Sequence, residues 1–420
     1  MTLSLPQRLV RHAFTRGGNG LSSGFSKQGL ARMRDVLAGH VEQGSLPGLV
    51  TLLCRRGEVH VDEIGVLAQG ARSPMRRDAI FRISSMTKPV TAVAALILVE
   101  ECRLRLDEPL DRWLPELAGR RVLKRPDGPL ADSLPARRPL SLRDLLTFRL
   151  GLGMIMEPSG HWPIQQAIDA QGIVGFGPPD PAAAHAPDAW MRRLGSLPLM
   201  YQPGEMWLYN LGSYVLGVLI ARVAGQPFEA FLRERIFEPL GMHDTGFSVP
   251  AAKWQRLAGA FAGDPGTQGL AARDASWDWT REPAFADGGA GLVSTADDYL
   301  AFGQMLLDGG HRDGERILSR ASVELMTTNQ LTPAQTQGSG FGSEYWESRG
   351  WGMGVSVVTR RDDLSATPGR FGWDGGYGTA WATDPAKELV AILMTQRIGF
   401  PLTSPVYLDF WTSAYQALED

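Results

Sequence analysis

Between Ser85 and Cys102 the chain is apolar on nearly every face of a helix, and this stretch most limits the fold it can join. A helix with one apolar stripe can lie on a surface, but one lacking a polar side has to be enclosed. Pro89 falls in its first turn, where a missing N–H is tolerated. The most apolar part, Val90 to Val99, stops at Glu100 and Glu101. That is far short of the ~20 residues needed to cross a bilayer. The segment therefore reads as the core helix of a globular fold, and 420 residues with 44% hydrophobic side chains are enough chain to surround it.

Strand signals lie toward both ends. Gly48–Cys54 reads as a strand, Arg55–Gly57 as a turn and Glu58–Gly65 as its hairpin partner. Gly352–Thr359, Gly378–Thr383 and Glu388–Thr395 repeat the pattern near the C-terminus. Helical periodicity marks Ser26–Gln43, Leu142–Phe148, Ser213–Ala224, Phe228–Phe237 and Pro405–Leu418. The chain is therefore expected to form an α/β domain from residues 1–84 and 290–420, with a mainly helical domain, 85–289, inserted between. Phe176–Pro187, Ala262–Gly269 and Ala334–Gly350 read as loops of the kind that line or cover a site.

A net charge of −3 points to neither nucleic acid nor an anionic membrane as partner. The two cysteines, Cys54 and Cys102, lie in apolar sequence and read as buried free thiols. The segment before Asn19 carries Arg8, Arg11 and Arg16 but no apolar core of a secretory signal, so a cytoplasmic protein is expected. The seven histidines form no metal-like spacing, and no cofactor fingerprint appears. Gly20–Gly24 fits a nucleophile elbow, but lacks the strand before it that such a turn requires, and reads as a loop. Oligomeric state leaves no mark in the sequence.

The chemistry concentrates in Ser85-Met86-Thr87-Lys88. Residues three apart share a helix face, so the Lys ammonium can reach the Ser hydroxyl. A serine hydroxyl is a weak nucleophile and needs a base beside it, and a buried lysine can serve once its pKa falls. Of five lysines only Lys88 has a serine three positions earlier. At a helix start, the Ser85 backbone N–H also stands where an oxyanion would develop.

Phe81–Val93 resembles the nucleophile segment of the serine β-lactamase and penicillin-binding-protein superfamily, nearest its class C-like branch and the family VIII carboxylesterases. Ser141–Thr147, Glu238–Phe247 and Gly288–Ala296 resemble further segments of that branch. The resemblance implies a β-lactamase-like fold, with an antiparallel sheet flanked by helices and a helical domain, and a site at their interface. It identifies Tyr209, in Pro203-Gly-Glu-Met-Trp-Leu-Tyr209-Asn-Leu, as the third catalytic residue, a phenol that ionises beside the ammonium and shuttles protons. Tyr214, one turn further on, is left as packing.

No lysine fits the superfamily's Lys-Thr-Gly motif. Trp373-Asp374-Gly375-Gly376 instead resembles the Trp-Gly-Gly form of family VIII, which implies Gly376 as the second oxyanion donor and Trp373 in place of a cation. Without that cation, neutral esters are favoured over carboxylate-bearing penicillins and peptides. Two positions depart from the pattern. Leu211 stands where an asparagine contacts a substrate amide, and Asp374 stands where a small residue is found, either binding a substrate donor or capping the turn. Both, with Trp373 and Gly375, are substrate-binding candidates, and Met154, Met156, Trp162 and Phe176 are pocket candidates. The expected function is hydrolysis of short-chain carboxylic esters through an acyl-enzyme on Ser85, with weak β-lactam side activity and a small-molecule ester or amide as partner. A β-lactamase, D-amino peptidase, amide hydrolase or acyltransferase could use the same three residues. Outside enzymes, a penicillin-recognising sensor is the rival.

Overall fold

Gly48–Arg55 (β1) is buried at all eight positions because it is apolar on both faces. Val50, Leu52 and Cys54 enter the main core, while Leu49 and Leu53 enter a second core on the other face, as the two-residue period of a strand requires. Glu58–Gly65 (β2) pairs with it antiparallel. The remaining strands come from the other end of the chain: Arg349–Trp351 (β3), Ser356–Val358 (β4), Phe371–Gly375 (β5), Thr379–Asp384 (β6) and Leu389–Thr395 (β7). They form one seven-stranded sheet in the order β3-β4-β5-β6-β7-β1-β2, antiparallel at every pairing. The computed structural model describes residues 24–158, 160–173, 185–263, 269–272, 279–399 and 404–419.

Five helices position the site: Lys27–Glu42 (α1), Thr87–Glu100 (α2), Leu211–Ala224 (α3), Ala296–Leu307 (α4) and Pro405–Gln416 (α5). Met33 and Leu37 of α1 and Phe410, Trp411 and Ala414 of α5 cover one face of the sheet. Tyr299, Phe302 and Met305 of α4 cover the other, within the core that also takes in α2 and α3. Helix α2 is buried without a break from Thr87 to Leu98, the enclosure its all-round apolar sequence demands. No single helix among the described residues is long and apolar enough to cross a membrane.

Several boundaries differ from the sequence reading, each for a local reason. Residues 352–359 do not form one strand. Gly354, at φ 75°, reverses the chain, so β3 and β4 make a hairpin closed by the Gly352 N–H to Val355 C=O bond. Residues 334–350, read as loop, contain a turn of helix at Pro333–Thr336 and another at Ser343–Ser348. The helix expected over 228–237 is α-helical only at Phe228–Leu232 and continues as a π-turn through Phe237. Cys54 is buried as expected, but Cys102 is exposed: the apolar run ends at Val99, and Cys102 lies past the helix end at φ 59°. Phe176, most of the 176–187 loop and residues 20–23 of the elbow pattern lie outside the described residues.

Candidate active site

Ser85 sits in a single 3₁₀ turn, Ser84–Met86, that leads into α2, rather than on the α-helix itself. Ser84 has a φ of 45°, a left-handed conformation costly for a side-chain-bearing residue and concentrated at functional sites. From Ile80 to Leu98, Ser85 alone is not buried. The turn is held from below by the Tyr299 hydroxyl, which donates to the Met86 carbonyl at 2.7 Å, and from the sheet by Thr379 Oγ1, which donates to the Ile83 carbonyl at 3.3 Å. Gly375 of β5 completes the support. A Cβ there would come within 2.3 Å of the Ile83 carbonyl oxygen, so only glycine lets the strand lie this close.

One turn along, Lys88 is fully buried. Its Nζ donates to Ser85 Oγ at 2.9 Å and to the Gly289 carbonyl at 2.7 Å. Burial pushes the ammonium down to about 7, against an opposing pull from Asp287. A desolvated lysine of this kind can stand deprotonated near neutral pH, as a general base must.

Tyr209 is held in the loop before α3, where its carbonyl accepts the Met154 N–H at 2.8 Å. The next residue, Asn210, has φ 88° and ψ −59°, a second strained position beside a candidate catalytic group. The Tyr209 hydroxyl accepts the Trp373 Nε1–H at 2.8 Å and lies close enough to Ser85 to feel its hydroxyl. Lys88 Nζ stands 4.8 Å from the centre of its ring, over the face of the phenol. Burial drives the Tyr209 phenol well above its ordinary pKa, against the opposing influence of Ser85 and Trp373. This corrects the expectation that the neighbouring ammonium makes it ionise easily. Of the pair, burial favours loss of the proton by Lys88 and its retention by Tyr209.

The structure thus brings Ser85, Lys88, Tyr209 and Trp373 into one chain of contacts. Gly376 is exposed and adjoins the nucleophile turn, a Cβ built on it lying 3.7 Å from Ser84 Oγ. No side-chain hydrogen bond among the described residues joins the other two substrate-binding candidates, Leu211 and Asp374, to this chain of contacts. Leu211, in the first turn of α3, is 1% exposed within the main core and offers a substrate no surface. The Asp374 side chain neither caps the turn nor faces Ser85: the Tyr407 hydroxyl of α5 donates to it at 3.0 Å, and burial pushes its carboxyl up to about 7.

A cavity of about 530 Å³ opens along the edge of β5, with Met156, Phe341, Tyr345, Trp373, Asp374 and Tyr407 among its walls. It borders the site at Trp373, and Ser85 is not part of its lining. Met156 lies at its exposed rim, whereas Met154 and Trp162 are half-buried outside it. Tyr214, read as packing, does stack on Trp190, but its phenol also stands beside Asp287, a residue that sequence reasoning missed. Asp287 has no partner at a recognisable spacing. The only sequence signal is its place directly before the glycines of Gly288-Gly-Ala-Gly.

Residues 33–404 match the Beta-lactamase protein family. Protein Rv1367c of Mycobacterium tuberculosis is 40% identical over 364 residues, 84% of this chain and 87% of that one. Esterase EstB of Burkholderia gladioli is 31% identical over 406 residues, 92% of this chain and 95% of its own. Among solved structures, EstCE1, described as a hydrolase with promiscuous acyltransferase activity, superposes with a TM-score of 0.75 at 26% identity. That likeness covers 92% of this chain and 99% of EstCE1. The chain belongs to the Beta-lactamase family, beside its family VIII-like carboxylesterases, and is a serine hydrolase of that superfamily.

Proposed function

We propose that the protein is a carboxylesterase that cleaves neutral, short-chain carboxylic esters through an acyl-enzyme on Ser85, with weak side activity on β-lactams. The observation that carries this reading is the bond from Trp373 Nε1–H to the Tyr209 hydroxyl, 2.8 Å long. A neutral indole occupies the strand position where the superfamily's Lys-Thr-Gly motif supplies a cation. A substrate carboxylate would find no charge-assisted partner there, so an uncharged ester loses nothing by comparison.

In this reading Lys88 takes the Ser85 Oγ proton across 2.9 Å as Oγ bonds to the ester carbonyl carbon. The backbone N–H groups of Ser85 and Gly376 receive the oxyanion. When the adduct collapses, the bond to the leaving oxygen breaks. Tyr209 gives its proton to that oxygen and is reprotonated by Lys88. Water then adds to the acyl-enzyme, the same groups carry the proton back, and the acid is released. Resemblance to EstCE1 favours a second outcome for the same intermediate, capture by an alcohol instead of water.

The test sets short-chain nitrophenyl esters against a chromogenic cephalosporin, each with wild-type protein and with Ser85→Ala. Ester turnover well above cephalosporin turnover, both lost by ~10³-fold or more in the variant, is the expected result. Preference for the cephalosporin would move the protein to the lactamase or peptidase side. Stoichiometric labelling without turnover would make it a sensor.

A further inference from the structure

Asp287 is 1% exposed, and a carboxylate so enclosed costs several kcal/mol unless something compensates it. Its Oδ1 accepts the Gly289 N–H at 2.6 Å, and the Ala290 N–H and the Tyr214 phenol also act on the carboxyl, all of them neutral groups. What stands near it is Lys88, whose Nζ donates to the carbonyl of that same Gly289. The turn is built to hold this arrangement. Thr91 Oγ1 donates to the Gly288 carbonyl at 2.7 Å, and Thr87 Oγ1 accepts the Leu292 N–H at 3.1 Å, so three residues of α2 clamp the turn from Gly288 to Leu292. A Cβ on Gly289 would come within 2.4 Å of the Tyr214 ring, which keeps the backbone tight against α3.

We propose that Asp287 is a positioning residue for the esterase chemistry: it is the buried counter-charge that sets the proton affinity of Lys88 and so the pH at which Ser85 becomes a nucleophile. The inference rests on the Ser85–Lys88 reading and deepens it. Asp287 touches no substrate and works through Lys88 alone. A lysine with no anion nearby would lose its proton too readily and make a weak base. A lysine with a strongly ionised carboxylate in direct contact would keep its proton at all working pH values. Here burial pushes the carboxyl up to about 6 and the ammonium down, while the attraction between the two favours the charged form of each, so neither charge is fixed. Among the described residues the remaining titratable groups facing the pair are Tyr209 and Tyr214, both held in the neutral form by burial. The carboxyl and the ammonium therefore carry the local charge between them.

The experiment measures kcat/KM against pH for a short-chain nitrophenyl ester, with wild type, Asp287→Asn and Lys88→Ala. The rate of Ser85 labelling by a fluorophosphonate is followed over the same range. Without the counter-charge Lys88 should lose its proton earlier, so the acid limb of Asp287→Asn moves down by about one pH unit or more, in hydrolysis and in labelling alike. KM should stay within about twofold, because no substrate contact is removed. A limb that stays in place in a folded Asp287→Asn, with Lys88→Ala inactive, overturns this inference and leaves the esterase reading standing. An active Lys88→Ala overturns both. Asp287→Ser serves if the asparagine variant does not fold. An infrared titration of wild type and Asp287→Asn gives an independent check. In the difference between the two, which cancels the Asp374 carboxyl, the band of a buried carboxylic acid should vanish between about pH 5 and 8, along the kinetic limb, and its absence from that range would overturn the proposal.

Discussion

Trp373 and Asp374 are consecutive on β5, yet their side chains enter two different worlds. Trp373 lies among Phe148, Trp207, Trp351 and Phe341, and its one polar atom donates to Tyr209. From there the contacts run on to Ser85, Lys88, Gly289 and Asp287 without a gap. Asp374, on the other side of the pleat, meets Tyr407 of α5, with the guanidinium groups of Arg370 and Arg349 acting on it from farther off. Both faces bury polar groups at a cost. On the Trp373 side each group's partner has a further partner, and the chain passes through Ser85, which is not buried. On the Asp374 side the chain stops after one hydrogen bond. Burial alone therefore does not mark the site; connection to an accessible reactive atom does.

The largest effect should follow from cutting the chain at Tyr209. Tyr209→Phe removes the phenol that stands beside Ser85 and accepts from Trp373, and kcat should fall by ~10²–10³-fold with KM little changed. A loss under about tenfold, measured by steady-state ester hydrolysis, would show that Lys88 returns the proton unaided. Trp373→Phe should cost less. It keeps the aromatic wall and deletes one donor to a neutral oxygen, worth about 1 kcal/mol, or a fall in kcat of about five- to tenfold. Its acid limb should not move, since the proton affinity of Lys88 is set from the Asp287 side. A limb that shifted in Trp373→Phe would break the separation of roles.

Much of this arrangement is legible in the amino-acid sequence, and the reasons are local. Ser85 and Lys88 stand three apart on a helical segment, so spacing alone predicts that they meet. The central strands are legible because β1 and β7 are apolar at successive positions, the pattern of a strand covered on both faces. Tyr209 needs the family resemblance, since a tyrosine ahead of a helix carries no mark of chemistry. Asp287 escapes notice because its partner Lys88 is 199 residues away, and only the fold brings the two together. The core setting of Leu211 and the bond from Tyr407 to Asp374 escape notice for a related reason. Position within a motif tells which strand or helix a residue joins, but a rotation of one residue decides which face it serves.

The smallest effect tests the far face, where pH should alter stability instead of catalysis. Burial holds the Asp374 carboxyl protonated up to about 7 in the folded protein, whereas the ordinary value is 3.8. Between those values the folded state binds a proton that the unfolded chain has released, so this residue's contribution to stability falls as pH rises through the window. Below about pH 4 both states are protonated and the penalty is absent. Asp374→Asn keeps the shape and an acceptor for Tyr407 but cannot ionise. Contact with solvent reduces the penalty, so the variant should gain about 1 kcal/mol over wild type at pH 8 and nothing at pH 4. Paired denaturant titrations at the two pH values read this directly. An equal change at both would mean that packing, not ionisation, governs this face. A loss at pH 8 would mean that the carboxylate is held by Arg370 and Arg349 more firmly than by its burial, and the two sides of β5 would differ less than their contacts imply.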